Sequence, residues 1–323
     1  MSGRWRMLTL YPVIEPYSQI QLQVDPLHLL HVEQSGNPAG IPVVFLHGGP
    51  GAGSNENHRR YFDPAVYRII NFDQRGCNRS SPAGETRQNT TTDLLLDMEQ
   101  IRLHLGIDSW LVFGGSWGAT LGLLYAQQYP QRVRGLVLRG VFLARRFDRD
   151  WFFSDGVNRL FPDAWDKFRR FIPGAQQQDL IAAYYQCMNA GDEALAITAA
   201  SHWADWTSTI VAWMLNPSGF NPAADPVRLV NEIRIETHYA YHDYFIVENQ
   251  ILSRADSIPR VPTIIIHGRR DLTCTLDAAW QLHQALPSSE LVIVREGGHL
   301  ASEAVMIDAL VTATNTLATR LTR

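Results

Sequence analysis

The residues best placed to do chemistry in this chain surround one serine. Ser116 lies in Gly114-Gly-Ser-Trp-Gly118, which matches the G-x-S-x-G motif of a nucleophilic serine held in a tight turn between a strand and a helix. Small residues are needed there because the strand and the helix pass close together while the serine oxygen projects outward. A purely structural turn is the alternative. The apolar segment before Ser116 and the small-residue segment after it supply the required strand and helix, so we predict a nucleophile.

A serine hydroxyl is a weak nucleophile, and it needs a base that is oriented in turn by an acid. Asp271 and His299 follow Ser116 in the order serine, acid, histidine. Each comes just after a predicted strand, Val261 to His267 and Leu291 to Val294 respectively, and ligands collect at such strand ends. Asp271 could instead cap a helix, and His299 could be an ordinary loop residue. Their order and placement together predict a catalytic triad.

Negative charge that develops on a substrate carbonyl oxygen requires two backbone N–H donors. The residue after the nucleophile, Trp117, is one predicted donor, and Gly49 in the glycine-rich segment His47-Gly-Gly-Pro-Gly51 is the other. A phosphate-binding loop is the alternative for this segment, but the lysine of the G-x-x-x-x-G-K-[ST] motif is absent. We therefore predict an oxyanion hole formed by Gly49 and Trp117.

Short apolar segments alternate with helical segments over most of the chain, which predicts an α/β fold with a mostly parallel, doubly wound sheet. A hairpin, Ile20 to Val24 and Leu27 to Val32, comes first. Asn89-Thr-Thr-Thr92 offers a helix cap. The other predicted strands before residue 145 are Ile41 to Leu46, Tyr67 to Phe72, Trp110 to Phe113 and Val133 to Leu138, and the predicted helices are Leu94 to Leu105, Ala119 to Gln128, Asp277 to Ala285 and a last one from about Glu303.

The pattern changes between about Arg145 and Ser253. Strand-like segments stop there, and tryptophan and tyrosine concentrate in helical segments. We predict a helical cap inserted into a single core. In this division residues 1–144 and 254–323 form the core, and residues 145–253 form the cap.

Composition excludes several classes of protein. The chain of 323 residues has a net charge of −4 and a pI near 6.2, which argues against a nucleic-acid or anionic-membrane partner. No segment has the ~20 apolar residues of a membrane span. Three cysteines are too few for a disulfide framework. We expect a cytoplasmic protein.

Two further groups of residues have side chains that could bind a metal or react. His238 and His242, spaced as i and i+4, could face one metal ion, but the glutamate of the H-E-x-x-H motif is missing. Cys274 lies three residues past Asp271 and is expected near the site. We expect this cysteine to pack rather than to attack a substrate, because no cationic neighbour would activate it. We predict no metal and no cofactor.

Segments spread over nearly the whole chain carry a family resemblance. Beside the segments around Gly49 and Ser116, they are Asp73-Gln-Arg-Gly-Cys77, Asn89-Thr-Thr91, Arg139-Gly-Val-Phe142, Phe161-Pro-Asp-Ala-Trp165, Arg234-Ile-Glu236, His238-Tyr239 and Gly268-Arg-Arg-Asp271. With them, the chain resembles the proline iminopeptidase (prolyl aminopeptidase) family. The resemblance implies an α/β-hydrolase fold with an inserted helical cap, and an enzyme that releases an N-terminal proline from peptides.

The resemblance also implies substrate-binding residues. Family caps carry glutamates that bind the free amine of the substrate, and Glu236 matches one of them. A carboxylate beside a cationic amine would fix cleavage at one residue from the end. A solvated helix position is the alternative for Glu236, but Ile235 and Tyr239 favour burial. Gly48 and Phe142, which lie in matching segments, are also predicted to bind substrate.

The chain departs from the family pattern at two positions. Thr207 stands where the family has a second glutamate, and Ala240 stands where the family has a phenylalanine that lines the proline pocket. Glu232 lies one helical turn before Glu236 on the same face, so it is a predicted substrate-binding residue that could replace the missing charge. Asp205 is another candidate for that replacement.

The predicted function is that of a serine aminopeptidase, which releases an N-terminal proline or small residue through an acyl-enzyme on Ser116. An α/β-hydrolase that acts on an uncharged ester or amide is the alternative, and the Thr207 and Ala240 changes would permit it. A non-catalytic binding protein is a third possibility, but binding alone would not require Ser116, Asp271 and His299 together. The expected partner is a peptide or a small amide or ester substrate.

Overall fold

One sheet of eight strands organises residues 7–215 and 225–322, the parts of the chain that the computed structural model describes. The strands are β1 (Ser18–Gln23), β2 (Leu29–Gly36), β3 (Ile41–Leu46), β4 (Tyr67–Phe72), β5 (Trp110–Gly115), β6 (Val133–Arg139), β7 (Thr263–Gly268) and β8 (Ser289–Val294). Their order across the sheet is β1-β2-β4-β3-β5-β6-β7-β8. The β1–β2 and β2–β4 pairs are antiparallel, and every other pair is parallel. The predicted hairpin and the mostly parallel sheet are confirmed.

The central strands are hydrophobic on both faces because both sides of the sheet are covered. In β3, Val44 packs into a core on one side and Val43 into a core on the other, since successive side chains of a strand alternate in direction. All six residues of β5 and all six of β7 are buried. Burial on both faces is the reason why these strands appear in the sequence as continuous apolar segments.

Helices cover the sheet and fill the region between β6 and β7. They are α1 (Thr91–His104), α2 (Trp117–Gln128), α3 (Arg146–Phe153), α4 (Pro162–Arg170), α5 (Leu180–Asn189), α6 (Glu193–Val211), α7 (Pro226–Tyr241), α8 (Gln250–Ser253), α9 (Leu276–Ala285) and α10 (Ala304–Leu321). Helices α1, α2 and α9 pack on one face of the sheet and α10 on the other. Within the two described ranges, no helix is long and apolar enough to cross a membrane.

Helix α1 begins where the polar segment before it predicts. Thr90 is the N-cap residue: its side chain accepts a hydrogen bond from the Asp93 backbone N–H, and the Asp93 carboxylate accepts one from the Thr90 backbone N–H at 2.9 Å. This reciprocal arrangement satisfies donors that a helix start otherwise leaves free. The capping prediction for residues 89–92 is confirmed.

The chain between β6 and β7 is helical, and the described part of it contains no strand. Aromatic side chains form its interior, with Trp203 and Phe168 almost fully buried. The Phe168 ring is stacked on Tyr184 at a centroid distance of 4.5 Å and lies 5.7 Å from Trp206. Such rings bury large apolar areas and stabilise each other through their preferred packing geometries. The predicted helical cap is present, while the boundaries at residues 145 and 253 stay a prediction.

Polar contacts fix α7 to the start of α1. The Tyr239 hydroxyl donates to Asn89 Oδ1 at 2.8 Å, and His238 Nε2 donates to the Asn89 carbonyl oxygen at 3.0 Å. On the same helix, the Glu232 carbonyl oxygen would lie only 2.6 Å from a β-carbon on Gly51, so the glycine-rich loop approaches the α7 backbone closely. These contacts place α7 over the carboxyl edge of the sheet.

Candidate active site

Ser116 lies at the tip of the turn between β5 and α2, in the place that its motif predicts. Its backbone has φ 56° and ψ −123°, a conformation that residues other than glycine rarely adopt. A β-carbon on Gly114 would lie 2.2 Å from the Gly118 carbonyl oxygen, and one on Gly118 would lie 2.1 Å from the Leu46 carbonyl oxygen. The turn therefore excludes side chains at both glycines. Backbone strain at a serine in such a turn is typical of a nucleophile.

Asp271 and His299 form a hydrogen-bonded pair beyond the ends of β7 and β8. His299 Nδ1 lies 2.8 Å from Asp271 Oδ2. The backbone N–H groups of Thr273 and Cys274 donate to Asp271 Oδ1, each at 2.9 Å. Burial alone would raise the pKa of the Asp271 carboxyl, but His299, His267 and the Cys274 N–H bring that pKa below its ordinary value. The aspartate is therefore charged near neutral pH and can hold a proton on His299 Nδ1.

Ser116 and His299 line the same cavity but make no direct hydrogen bond. Ser116 Oγ lies 3.9 Å from Cys274 Sγ. Burial raises the pKa of the Cys274 thiol well above its usual value, so this cysteine is a neutral neighbour. The other ring nitrogen of the histidine, His299 Nε2, accepts a long hydrogen bond from Arg139 Nη1 at 3.5 Å. Hydrogen bonds between catalytic groups often shorten only in the substrate complex, and this geometry leaves both groups at the cavity surface.

The glycine-rich loop after β3 packs against the Ser116 turn. A β-carbon on Gly48 would lie 3.6 Å from Ser116 Cβ. Gly48 and Gly49 line the same cavity as the serine, and Gly49 has φ +112°, which a residue with a side chain would adopt only under strain. Trp117 is the first residue of α2, where a backbone N–H has no acceptor within the helix. The two predicted oxyanion donors thus lie on either side of Ser116.

A cavity of about 590 Å³ separates the carboxyl edge of the sheet from the cap. This volume lies in the range of sites for small organic substrates. Its aromatic walls are formed by Tyr61, Phe142, Phe152, Phe153 and Tyr244. Its charged side chains are those of Arg139, Asp148, Arg149, Glu232 and Glu236. The cavity therefore combines a surface for an apolar ring with groups that can bind a charge.

Glu232 and Glu236 lie on successive turns of α7 and both face the cavity. Burial raises the pKa of the Glu236 carboxyl to about 8; the Trp203 indole opposes this rise, and the Glu232 charge adds to it. Burial also raises the pKa of Glu232, against the attraction of Arg228. In residues 7–215 and 225–322 no basic side chain forms a salt bridge with either carboxylate. The pair is an acidic corner suited to a cationic group.

The two positions at which the chain departs from the family pattern lie in different surroundings, one in the cavity wall and one in the core. Thr207 lines the cavity. An uncharged hydroxyl therefore lies at the position where the family pattern has a glutamate. Ala240 is fully buried in the hydrophobic core and is not part of the lining. Asp205 also lies outside the lining. Of the two acidic residues considered as a replacement, the structure brings Glu232 to the cavity and does not bring Asp205.

His238 and His242 have their ring centroids 5.0 Å apart on α7. His238 Nε2 is engaged, since it donates to the Asn89 carbonyl oxygen at 3.0 Å. Among the residues that the structure describes, no group of three or more His, Cys, Asp or Glu side chains is arranged to hold a metal ion.

Two residues that support the site were not identified from the sequence. Glu303 accepts hydrogen bonds from the backbone N–H groups of Gly298 at 2.7 Å and Leu300 at 3.1 Å, which fixes the loop that carries His299. Arg139 donates to the His299 carbonyl oxygen at 2.6 Å. The position of Arg139 at the end of β6 was the available signal. Glu303 was recognised only as a helix start.

Tyr244, in the cavity wall, is a third residue of the site that was not identified from the sequence. Asp243, Tyr244 and Phe245 all have positive φ, at 50°, 55° and 53°, and such backbone strain concentrates at functional sites. This segment places the Tyr244 ring 5.6 Å from that of Trp117 and 5.0 Å from that of Phe142. The sequence contains no glycine or asparagine in these three positions that would have predicted the conformation.

Comparison with known proteins agrees with this architecture. A profile of the α/β-hydrolase fold family matches residues 41–303. A putative epoxide hydrolase from Pseudomonas aeruginosa has a similar structure, with a TM-score of 0.61, 18% sequence identity, and coverage of 96% of this chain and 97% of that one. At this identity the structural likeness shows the fold alone.

Sequence relatives are more specific. A probable proline iminopeptidase from Leptolyngbya boryana is 47% identical over 96% of this chain and 97% of its own length. A proline iminopeptidase from Xanthomonas citri is 46% identical over 96% of this chain and 99% of its own length. The aligned regions include both core and cap. The chain therefore belongs to the proline iminopeptidase family of α/β-hydrolases.

Proposed function

We propose that this chain is a serine aminopeptidase that releases an N-terminal proline, or another small N-terminal residue, from peptides. The observation that carries the proposal is the pair Glu232 and Glu236, which share one cavity with Ser116 and His299. An N-terminal amine is largely cationic near neutral pH, and carboxylates that lack a basic partner bind a cation through charge-assisted hydrogen bonds. The names of the relatives support the same class of substrate.

In the acylation step, Ser116 Oγ attacks the carbonyl carbon of the first residue while His299 Nε2 takes the hydroxyl proton. Asp271, 2.8 Å from His299 Nδ1, stabilises the imidazolium that forms. The Gly49 and Trp117 N–H groups stabilise the negative oxygen of the tetrahedral intermediate. This intermediate collapses when the carbon–nitrogen bond breaks and His299 gives its proton to the leaving amine. The shortened peptide departs, and the first residue remains as an ester on Ser116.

In the deacylation step, water attacks the ester carbon and His299 accepts one of its protons. The second tetrahedral intermediate collapses with cleavage of the bond to Ser116 Oγ, and His299 returns the proton to that oxygen. The free amino acid leaves, and the enzyme regains its starting protonation state. The chemistry therefore consumes one water for each peptide bond and needs no cofactor.

The cap carboxylates set the position of cleavage. With the substrate ammonium held at α7, the carbonyl group of the first residue is the one presented to Ser116, because both ends of that residue are then bound to groups that line one cavity. Phe142 and Tyr244 supply the apolar walls for that side chain. Glu232 takes the role of the family glutamate whose position is occupied here by Thr207.

An esterase-like hydrolase that accepts uncharged substrates is the second candidate. The observation that favours it is the raised pKa of Glu236, about 8, which leaves this carboxyl largely neutral at pH 7 when no cation is bound. Thr207 contributes no charge either. A cavity with little net charge would admit esters and acylated amides as readily as free amines.

A panel of three substrates separates the two candidates. It consists of proline naphthylamide, its N-acetylated form and a nitrophenyl acetate ester, each assayed for kcat/KM. The aminopeptidase proposal expects cleavage of the free-amine amide and strong discrimination against its acetylated form. Equal rates on both amides would refute the proposal and favour the esterase-like candidate. The Ser116→Ala variant serves as the blank for each substrate.

We also propose that the protein works in the cytoplasm. All three cysteines, Cys77, Cys187 and Cys274, are free thiols, which fits a reducing compartment. Peptides are the proposed partners, and nucleic acids are not, because of the net charge of −4. Fractionation of the native cells with antibody detection would test the location.

A further inference from the structure

A single buried glutamine connects the two halves of the proposed oxyanion hole. Gln74 follows β4 and is 2% exposed. Its side-chain Nε2 donates to the His47 carbonyl oxygen at 3.0 Å, and its Oε1 accepts from the Trp117 indole Nε1 at 2.9 Å. His47 leads into the loop that contains Gly49, and Trp117 begins α2. One side chain thus bridges the two segments that carry the N–H donors.

The His47 ring adds a second connection between the loop and Gln74. The Gln74 backbone N–H donates to His47 Nε2 at 3.0 Å, so this ring nitrogen carries no proton. Nδ1 lies 2.9 Å from the Gly48 carbonyl oxygen, which can only accept, so Nδ1 carries the proton and donates. Burial lowers the pKa of the His47 ring. The ring is therefore held in one neutral tautomer and one orientation.

These bonds determine the direction of the Gly49 N–H. The Gly48–Gly49 peptide is trans, and in a planar trans peptide the C=O and the N–H point in opposite directions. Because His47 Nδ1 holds the Gly48 carbonyl oxygen on its own side, the Gly49 N–H points away from that ring. No described residue accepts a hydrogen bond from the Gly49 N–H, so the group is available to a substrate oxygen.

The other end of the bridge orients the start of α2. The Trp117 side chain is fully buried, with its ring centroid 5.1 Å from that of Tyr239 and 5.6 Å from that of Tyr244. Gln74 supplies the hydrogen bond to its indole N–H. The Gln74 side chain therefore holds the Trp117 side chain and the His47 carbonyl oxygen. The His47 ring is held by the Gln74 backbone N–H, which every variant at this position except proline keeps.

We propose that Gln74 is the positioning residue of the oxyanion hole. By bridging His47 and Trp117, it holds the Gly49 and Trp117 N–H groups at a fixed separation, so that both reach one oxygen atom. This inference rests on the proposed hydrolytic function. Such donors act on charge that develops only in the transition state, so their displacement lowers kcat and leaves substrate binding nearly unchanged.

The test compares Gln74→Met with Gln34→Met. Methionine keeps the length of the side chain and removes its hydrogen bonds. Gln34 is a matched control: it is buried, its Oε1 accepts from two nitrogens of Arg68 at 2.9 and 2.6 Å, and it lies on β2, outside the cavity lining. The substrate is nitrophenyl acetate, which has no amine, so the result does not depend on the aminopeptidase specificity.

We expect Gln74→Met to lower kcat for the ester by roughly 10- to 100-fold, less than the ~10²–10³ that follows complete removal of one donor, with KM within about twofold. The affinity for an alkylboronic acid, which forms a tetrahedral adduct with Ser116 Oγ, should fall by the same factor as kcat. Gln34→Met should keep the kcat, KM and boronate affinity of the unaltered chain.

Several outcomes would overturn the proposal. They are an unchanged kcat in Gln74→Met, a loss confined to KM, or a loss that Gln34→Met shares. If Gln74→Met does not fold, Trp117→Phe carries the test, because it removes the indole N–H that donates to Gln74. It also removes the five-membered ring, so Trp110→Phe, at another fully buried tryptophan outside the cavity lining, controls for the lost volume. Equal losses in kcat and boronate affinity are expected in Trp117→Phe alone, and no loss there refutes the bridge. If the unaltered protein cleaves the ester but not proline naphthylamide, only the aminopeptidase proposal is contradicted. A chain that neither cleaves the ester nor binds the boronate overturns both.

Discussion

Replacing Glu236 by glutamine removes one ionisable group from the cavity and keeps the size of the side chain. If Glu236 binds the substrate ammonium, the variant loses a charge-assisted hydrogen bond, which typically contributes ~1.5–3 kcal/mol. At ~1.4 kcal/mol per decade, that loss lowers kcat/KM for free-amine substrates by roughly 10- to 100-fold. An ester without an amine makes no such contact, so its kcat/KM should change by less than about twofold.

The dependence on pH gives the same hypothesis a second readout. Binding requires an ionised Glu236, whose pKa is raised to about 8 by burial, and a protonated substrate amine, whose pKa is ordinarily ~8. The profile of kcat/KM for a free-amine substrate should therefore be a bell with its maximum close to pH 8. In Glu236→Gln the acid limb caused by this carboxyl should disappear. The ester profile should lack that limb in both proteins.

Stability distinguishes a binding role from a structural one. The pKa of Glu236 is raised from 4.5 to about 8 in the folded chain, so the native state holds this proton more tightly than the unfolded state. The resulting stabilisation is present below pH 4.5 and is lost as the pH rises through about 8. Glu236→Gln should therefore melt at the same temperature as the unaltered chain or higher at pH 8.

The assay measures kcat/KM for proline naphthylamide and nitrophenyl acetate between pH 5.5 and about 9.5. Glu193→Gln is the matched control, because Glu193 is an exposed glutamate of the cap, in the first turn of α6. It should behave like the unaltered chain with both substrates. Equal slowing of the ester and the amide by Glu236→Gln, together with a lower melting temperature, would show that Glu236 is structural and would refute the reasoning.

Four further outcomes follow from the proposed mechanism. Ser116→Ala and His299→Ala should each lower kcat by roughly 10⁴- to 10⁶-fold, and the double variant should lose little more, because the groups act as a unit; substantial turnover by purified Ser116→Ala would exclude the serine. The ester kcat/KM should fall in acid, since a protonated imidazole cannot accept the serine proton; a maximum at about pH 5 would contradict a histidine base. Thr207→Glu should raise the preference for free amines over acetylated amides by about tenfold, and an unchanged ratio would place that residue outside the amine site. Chelators should leave the activity unaltered, and recovery of a chelated, inactive protein on addition of zinc would reverse this expectation.

The sequence was sufficient for the architecture because the physical signals there are local. The predicted strand Ile41 to Leu46 coincides with β3, and the predicted strand Tyr67 to Phe72 coincides with β4. Strands that are buried on both faces are apolar at most positions, so the sequence shows where they begin and end. Other bounds shifted slightly. The helix predicted from Ala119 begins at Trp117, because the serine turn closes directly into the helix.

The site was less accessible to sequence reasoning because its supporting contacts join distant parts of the chain. Arg139 contacts His299 across 160 positions, and no periodicity in the sequence records such a pair. The segment that carries Tyr244 has positive φ angles but contains no glycine, so the sequence did not predict this backbone conformation. The burial of Ala240 in the core depends on the rotation of α7, which the sequence alone did not define. The roles assigned to Ser116 and the other site residues stay predictions.

The placement of the cap between β6 and β7 affects how the substrate preference of this protein can evolve. These strands are adjacent and parallel, with Leu138 opposite Ile265. The chain therefore leaves the sheet at the carboxyl end of β6, forms the cap over that edge, and returns to the amino end of β7. For a flexible loop, doubling the length adds only ~0.6 kcal/mol of closure cost, so the loops between the cap helices can lengthen at little cost. Mutations and insertions there can accumulate without displacing the strand ends that carry the reactive groups. Substrate preference can therefore drift among descendants while the hydrolytic reaction is inherited intact.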